Sequence, residues 1–140
     1  MPVPEALRQP RHDNPSSWRW VVAFFEGVTA RANGTHCLPL LRLARQLADS
    51  PIAYSFRAGQ SLYDLLISTK GENGLDYTDP FVSVSAHVKS PLFRVDYWYG
   101  NKVGDFLKVC LCTEAELEET LWPLLERLRH DTTGPGERAV

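Results

Sequence analysis

The chain is poor in the features that announce a chemistry. Its three cysteines, Cys37, Cys110 and Cys112, are odd in number and follow no spaced framework, which excludes a disulfide-stapled secreted scaffold and favours free thiols in a reducing compartment. No apolar h-region follows Met1, and no apolar run approaches the length of a membrane span, so neither a secretory leader nor a transmembrane helix is expected and the cytoplasm is the expected location. Asn33-Gly34-Thr35 fits a glycosylation sequon, but without a leader it is a chance match. A basic stripe is missing too. The net charge is −2, with no Lys/Arg stripe of the kind a phosphate backbone requires, which argues against nucleic acid as a partner. No P-loop, G-x-S-x-G elbow or H-E-x-x-H helix occurs.

What is present is ample core material. Of the 140 residues, 44% are hydrophobic, and a chain of this length and composition folds as one domain without metals or bridges. The charge is uneven: residues 1–50 carry six Lys/Arg against four Asp/Glu, while residues 101–140 carry five against eight. An acidic C-terminal part suits a basic partner.

Periodicity divides the chain into an N-terminal arm (1–15, with four prolines), a single α+β domain (16–130) and a tail (131–140). Trp18, Val21, Val22, Phe25 and Val28 recur at helical spacing, and Ser16 or Ser17 can cap that helix. A second helix follows Thr35, with Pro39 in its first turn and Leu40, Leu41, Ala44 and Leu47 as its apolar stripe. The period then changes to two. Strands are expected at Ile52–Arg57, Leu62–Thr69, Phe81–Lys89, Phe93–Tyr99 and Phe106–Cys112, the last with Leu107, Val109 and Leu111 on one face and Val109 in the core. Their short links imply an antiparallel meander. Thr113-x-x-Glu116 fits a capping box that opens a last helix with a stripe of Leu117, Leu121, Leu124, Leu125 and Leu128, bent or interrupted at Pro123. The expected architecture is two N-terminal helices, a meander of about five strands and one C-terminal helix packed on the sheet.

Each candidate site also has a plain structural explanation. Cys110-x-Cys112 lacks a second ligand pair beyond His36 and Cys37, so two small residues packed under a helix fit better than a metal site, and no cofactor is expected. Ser85, His87 and Asp96 share a strand face but lack oxyanion donors and a cleft, so no enzymatic activity is expected. Gly71-Glu72-Asn73-Gly74 reads as a hairpin turn, because no helix opens after it to cradle phosphate. Tyr97-Trp98-Tyr99 is the more informative run. Alternation sends one face's rings out of the core, and an exposed Trp98 beside Asp96 has the composition of an interface anchor.

The helices-first order, the "YDLLIST" strand, the "FVSVSAHV…LFRVDYWYG" hairpin and the closing amphipathic helix together resemble immunity proteins encoded beside bacterial polymorphic or contact-delivered toxins. That resemblance implies an antitoxin of interbacterial competition that binds its cognate toxin one to one and occludes the active site. The surface expected to do so carries Asp76, Asp79, Asp96, Tyr97, Trp98, Tyr99 and Glu116. A secretion chaperone, or another cytosolic protein-binding module, is the alternative, and homodimerisation is left open.

Overall fold

The computed structural model describes residues 14–69, 80–98 and 106–132, without the side chains of residues 106–108 and 132. Expectations that fall on the arm, on the Gly71–Gly74 turn, on Asp76, Asp79 and Tyr99, and on most of the tail lie outside the described residues. Helix α1 spans Asn14–Thr29, a 3-10 segment spans Ala32–Cys37, α2 spans Leu38–Ala48 and a single turn, α3, spans Ile52–Ser55. The strands are β1 (Arg57–Ser61), β2 (Asp64–Ser68), β3 (Phe81–His87), β4 (Ser90–Trp98) and β5 (Phe106–Cys112), and α4 (Leu117–Thr132) follows a 3-10 turn at Glu114–Glu116. The protein is α+β: the five strands pair antiparallel in the order β1-β2-β3-β4-β5, with the helices on one face.

The core forms where the helix stripes meet the inward positions of the strands. Trp18, Phe25, Leu40, Leu47, Leu121 and Leu128 are fully buried against Leu65, Ile67, Val82, Val84, Val95 and Tyr97. Its polar atoms are satisfied at two points that also fix α1 against β1. The Trp18 indole Nε1 donates to the Phe56 carbonyl at 2.9 Å, and the Ala58 amide donates to the buried Ser17 hydroxyl at 2.9 Å. Gly34 is required by close approach, since a Cβ there would lie 2.0 Å from the Val28 carbonyl oxygen. This lets the 3-10 segment fold back on α1.

Several expectations are corrected. Ile52–Ser55 is a helical turn, and the strand begins at Arg57. Ser50 places its hydroxyl 3.2 Å from the Ile52 amide and the Phe56 amide donates to the Ile52 carbonyl, so local capping outweighs the short apolar run. In β5 Val109 is exposed with Leu111 and not in the core, whereas Cys112 is buried and Cys110 packs against the core, on the helix side as expected of the two cysteines. The register of β4 with β5 decides this, because Val95, an inward residue, faces Cys110, while Asp96 faces Val109. Helix α4 runs on through Pro123. Pro123 lies on the exposed side of the helix, so the carbonyl one turn earlier, left without its amide donor, is on the side open to water.

Candidate functional site

The two faces of β4 send the expected interface residues in opposite directions. Tyr97 is fully buried on the helix side, and its hydroxyl donates to Asp131 Oδ2 at 2.6 Å. Asp96 and Trp98 lie on the outer face. Asp96 is buried there, with the Arg94 guanidinium Nε 2.9 Å from its carboxylate. Trp98 is half-buried, stacks on Phe81 at a centroid distance of 5.4 Å and donates its Nε1–H to the Ser83 hydroxyl at 3.0 Å. The indole is therefore held at both its face and its nitrogen. Glu116 stands at the opening of α4, in the helical layer. Asp96 and Trp98 thus share one surface, while Glu116 and Tyr97 belong to the other side of the sheet.

On the outer face the strand register also brings Asp64 and Ser85 beside Arg94 and Asp96. Burial pushes the Asp64 carboxyl up, the Ser85 hydroxyl partly offsets this by hydrogen bonding, and nearby Asp96 raises it further. Burial likewise raises Asp96, against the pull of Arg94. Ser85 and Asp96 are therefore parts of a hydrogen-bonded and ion-paired patch. His87 stands apart at the β3–β4 turn, where its Nδ1 accepts from the Lys89 amide at 3.2 Å.

The helical layer holds the more developed surface. Between α2 and the start of α4 runs an open groove of about 720 Å³, lined by Pro39, Leu43, Leu117 and Trp122 along its apolar floor and by Arg42, Glu114, Glu118 and Glu119 on its rim. The capping box builds this end of it: Thr113 and Glu116 hydrogen-bond reciprocally, with the Thr113 amide donating to Glu116 Oε1 at 2.9 Å. Those contacts hold the Glu116 carboxyl below the usual range, so it stays ionised. Arg42 bridges the groove to Glu114 through two hydrogen bonds of 2.7 and 2.9 Å, which lowers the Glu114 carboxyl, and Gln46 donates to Glu118. Four glutamates, Glu114, Glu116, Glu118 and Glu119, thus crowd one helix start, with the arginine committed to one of them.

Of the expected interface residues that are described, Glu116 belongs to the turn that carries the groove's glutamates, without itself lining the groove. Its glutamate neighbours are visible in the sequence as a charge run, but Trp122 and Arg42 are brought to them only by the packing of α4 against α2. A tryptophan one position after the buried Leu121, and so at the edge of the leucine stripe, is the signal that could have marked the groove.

Among the described residues no three His, Cys, Asp or Glu side chains converge as metal ligands, and no helix is long and apolar enough to cross a membrane. All three thiols are free, and burial raises Cys37 and Cys112 above the ordinary thiol range. No family model, curated protein sequence or solved structure matches the chain.

Proposed function

We propose that this chain is a cytoplasmic immunity protein that binds a cognate toxin domain one to one and blocks its active site. The observation that carries the reading is the acidic groove between α2 and α4. Occlusion requires no chemistry from the inhibitor, only a surface that outcompetes substrate for the toxin's cleft. Where that cleft is basic, as in an enzyme that handles nucleic acid or nucleotides, Glu118, Glu119 and Glu116 stand in for the substrate's negative charge and steer the encounter. Trp122, half-buried in the floor beside Leu43 and Leu117, supplies a rigid aromatic that is already part-ordered before binding. The Arg42–Glu114 bridge holds the groove walls in place.

This reading moves the expected interface. The acidic, aromatic character anticipated around Asp96 and Trp98 is placed instead on α4, because Asp96 is neutralised in part by Arg94 and Trp98 is stacked and hydrogen-bonded. The test is co-expression of the neighbouring gene's C-terminal domain with and without this chain in a heterologous host. Survival only in the presence of the chain, with a recoverable complex, supports immunity. Equal killing with and without it, and no complex in a pull-down, refutes it.

A further inference from the structure

The acidic groove does not end at Trp122. Beyond the indole lies a second open cleft of about 460 Å³, lined by Ile52, Phe56, Leu125, Glu126 and Arg129 among others. Trp122 borders both hollows, so together they form one furrow with the indole at its middle. Its walls are helical: α2 and the α3 turn on one side, α4 on the other. Arg42 meets Glu114 and Gln46 meets Glu118, so α2 and α4 run in the same direction. Farther along, the Arg129 guanidinium lies 5.2 Å from the centre of the Phe56 ring and ties the walls of the second cleft together as well.

The α4 wall has its own repeat. Leu117, Leu121, Leu124 and Leu128 are buried in the core, and the furrow is lined one position later, by Glu118, Trp122, Leu125 and Arg129. A row at spacings of three and four is the ridge against which a further helix packs. An extended occupant fits worse. Beyond the first turn of each wall the backbone amides are bonded within the helix, so a strand would bury carbonyls with no donor to meet them, whereas a helix arrives with its own bonds closed. Charge distinguishes the two ends. Among the described residues, Glu114, Glu118 and Glu119 line the first cleft against Arg42, which Glu114 already holds through two hydrogen bonds. Ile52, Trp122 and Leu125 make the second cleft more apolar.

We infer that the furrow takes a single amphipathic helix of the toxin domain, laid antiparallel to α4. Basic side chains in its last turn lie over Glu118 and Glu119, and its apolar side chains pass over Trp122 into the second cleft. Direction follows from the helix dipole: the last turn of a helix favours Lys and Arg, and its negative end then faces the positive start of α4. From Glu118 to Arg129 the row extends about 16 Å, or about three turns of the incoming helix. The inference rests on the toxin reading and adds the second cleft, the helical form and the direction, none of which occlusion by the acidic groove requires.

The test is photo-cross-linking within the complex of this chain and the C-terminal domain encoded by the neighbouring gene. Ala115→p-benzoylphenylalanine and Glu126→p-benzoylphenylalanine place the reagent at exposed positions, one in each cleft, and leave the glutamates of the first cleft intact. Both variants should cross-link to one helical segment, with the Ala115 adduct roughly ten residues C-terminal to the Glu126 adduct. Lys or Arg should lie beside the Ala115 adduct. Ile52→Ala trims the wall of the second cleft and should weaken the complex about tenfold. Cross-links from the Ala115 variant alone, adducts in the reverse order, or adducts on separate or extended segments overturn the inference and leave the immunity reading standing. Unchanged affinity of Ile52→Ala does the same, and the cross-links decide the matter if that variant fails to fold. Absence of any complex overturns both readings.

Discussion

At the scale of single residues, the structure turns on close approach and on burial of charge. Gly34 sits where any side chain would drive into the Val28 backbone, and a carbonyl oxygen cannot rotate away as a flexible side chain can. Gly34→Ala should therefore destabilise the fold by about 1–3 kcal/mol, the range of overpacking, and chemical denaturation of the variant checks this. Asp64 offers the opposite case. Its carboxyl is raised by burial and by Asp96, so the folded state holds that proton more tightly than the unfolded chain. The ionised form thus costs stability, and that cost grows as pH rises from about 4 through the raised folded value, then stays. Asp64→Asn keeps an acceptor for Ser85 and removes the charge. It should raise the melting temperature at pH 7, and the gain should vanish below about pH 4. An equal gain at both pH values would show that charge is not the cause. Residue identity was a partial guide here. The helix stripes of Trp18, Phe25, Leu121 and Leu125 were legible from spacing alone, because a helix face repeats unambiguously. In β5 both alternating sets, Val109/Leu111 and Cys110/Cys112, are apolar enough to be buried, and only pairing with β4 decides between them.

At the scale of elements, α4 depends on its start. Thr113 and Glu116 satisfy amides that the helix cannot, and the acidic first turn complements the positive end of the helix. Thr113→Ala should cost about 1 kcal/mol, measured as a shift in denaturant midpoint with an unchanged slope. The capping box was readable as Thr113-x-x-Glu116, since its partners are three residues apart. The turn at Ile52–Ser55 was not, because a four-residue apolar run fits a strand as well as a helix turn, and the deciding Ser50 hydroxyl acts through local geometry. The thiols behave as parts of elements too. Cys37 and Cys112 are buried beneath the helical layer with their thiols held in the protonated form, so an aromatic disulfide reagent should label Cys37 and Cys112 only after unfolding. Rapid native labelling of Cys112 would contradict the orientation of β5.

At the scale of the whole molecule, the sheet divides the surface into two unlike sides. The outer face carries Arg94 paired with Asp96, with Asp64 near enough to feel both charges, and Val109 and Leu111 exposed at the β5 edge. The helical side carries the acidic groove over Trp122. The α+β class and the meander could be anticipated from the sequence, since each rests on local period and short connections. Which acidic residues share a surface could not, because Glu116 and Asp96 are twenty positions apart and are parted by the sheet itself. Placing the interface on α4 has kinetic consequences. Reversing Glu118 and Glu119 to Lys should slow association with a basic partner and flatten its salt dependence, while Trp122→Ala should mainly speed dissociation, costing about 2 kcal/mol or more if it is the anchor. The most direct measurement is titration of the purified chain against the C-terminal domain encoded by the neighbouring gene, at low and high salt, for wild type and for the Glu118→Lys, Glu119→Lys pair. A one-to-one complex is expected, whose wild-type affinity falls with salt and is lost largely in the pair. Absence of binding, or a complex indifferent to both charge reversal and salt, would contradict it.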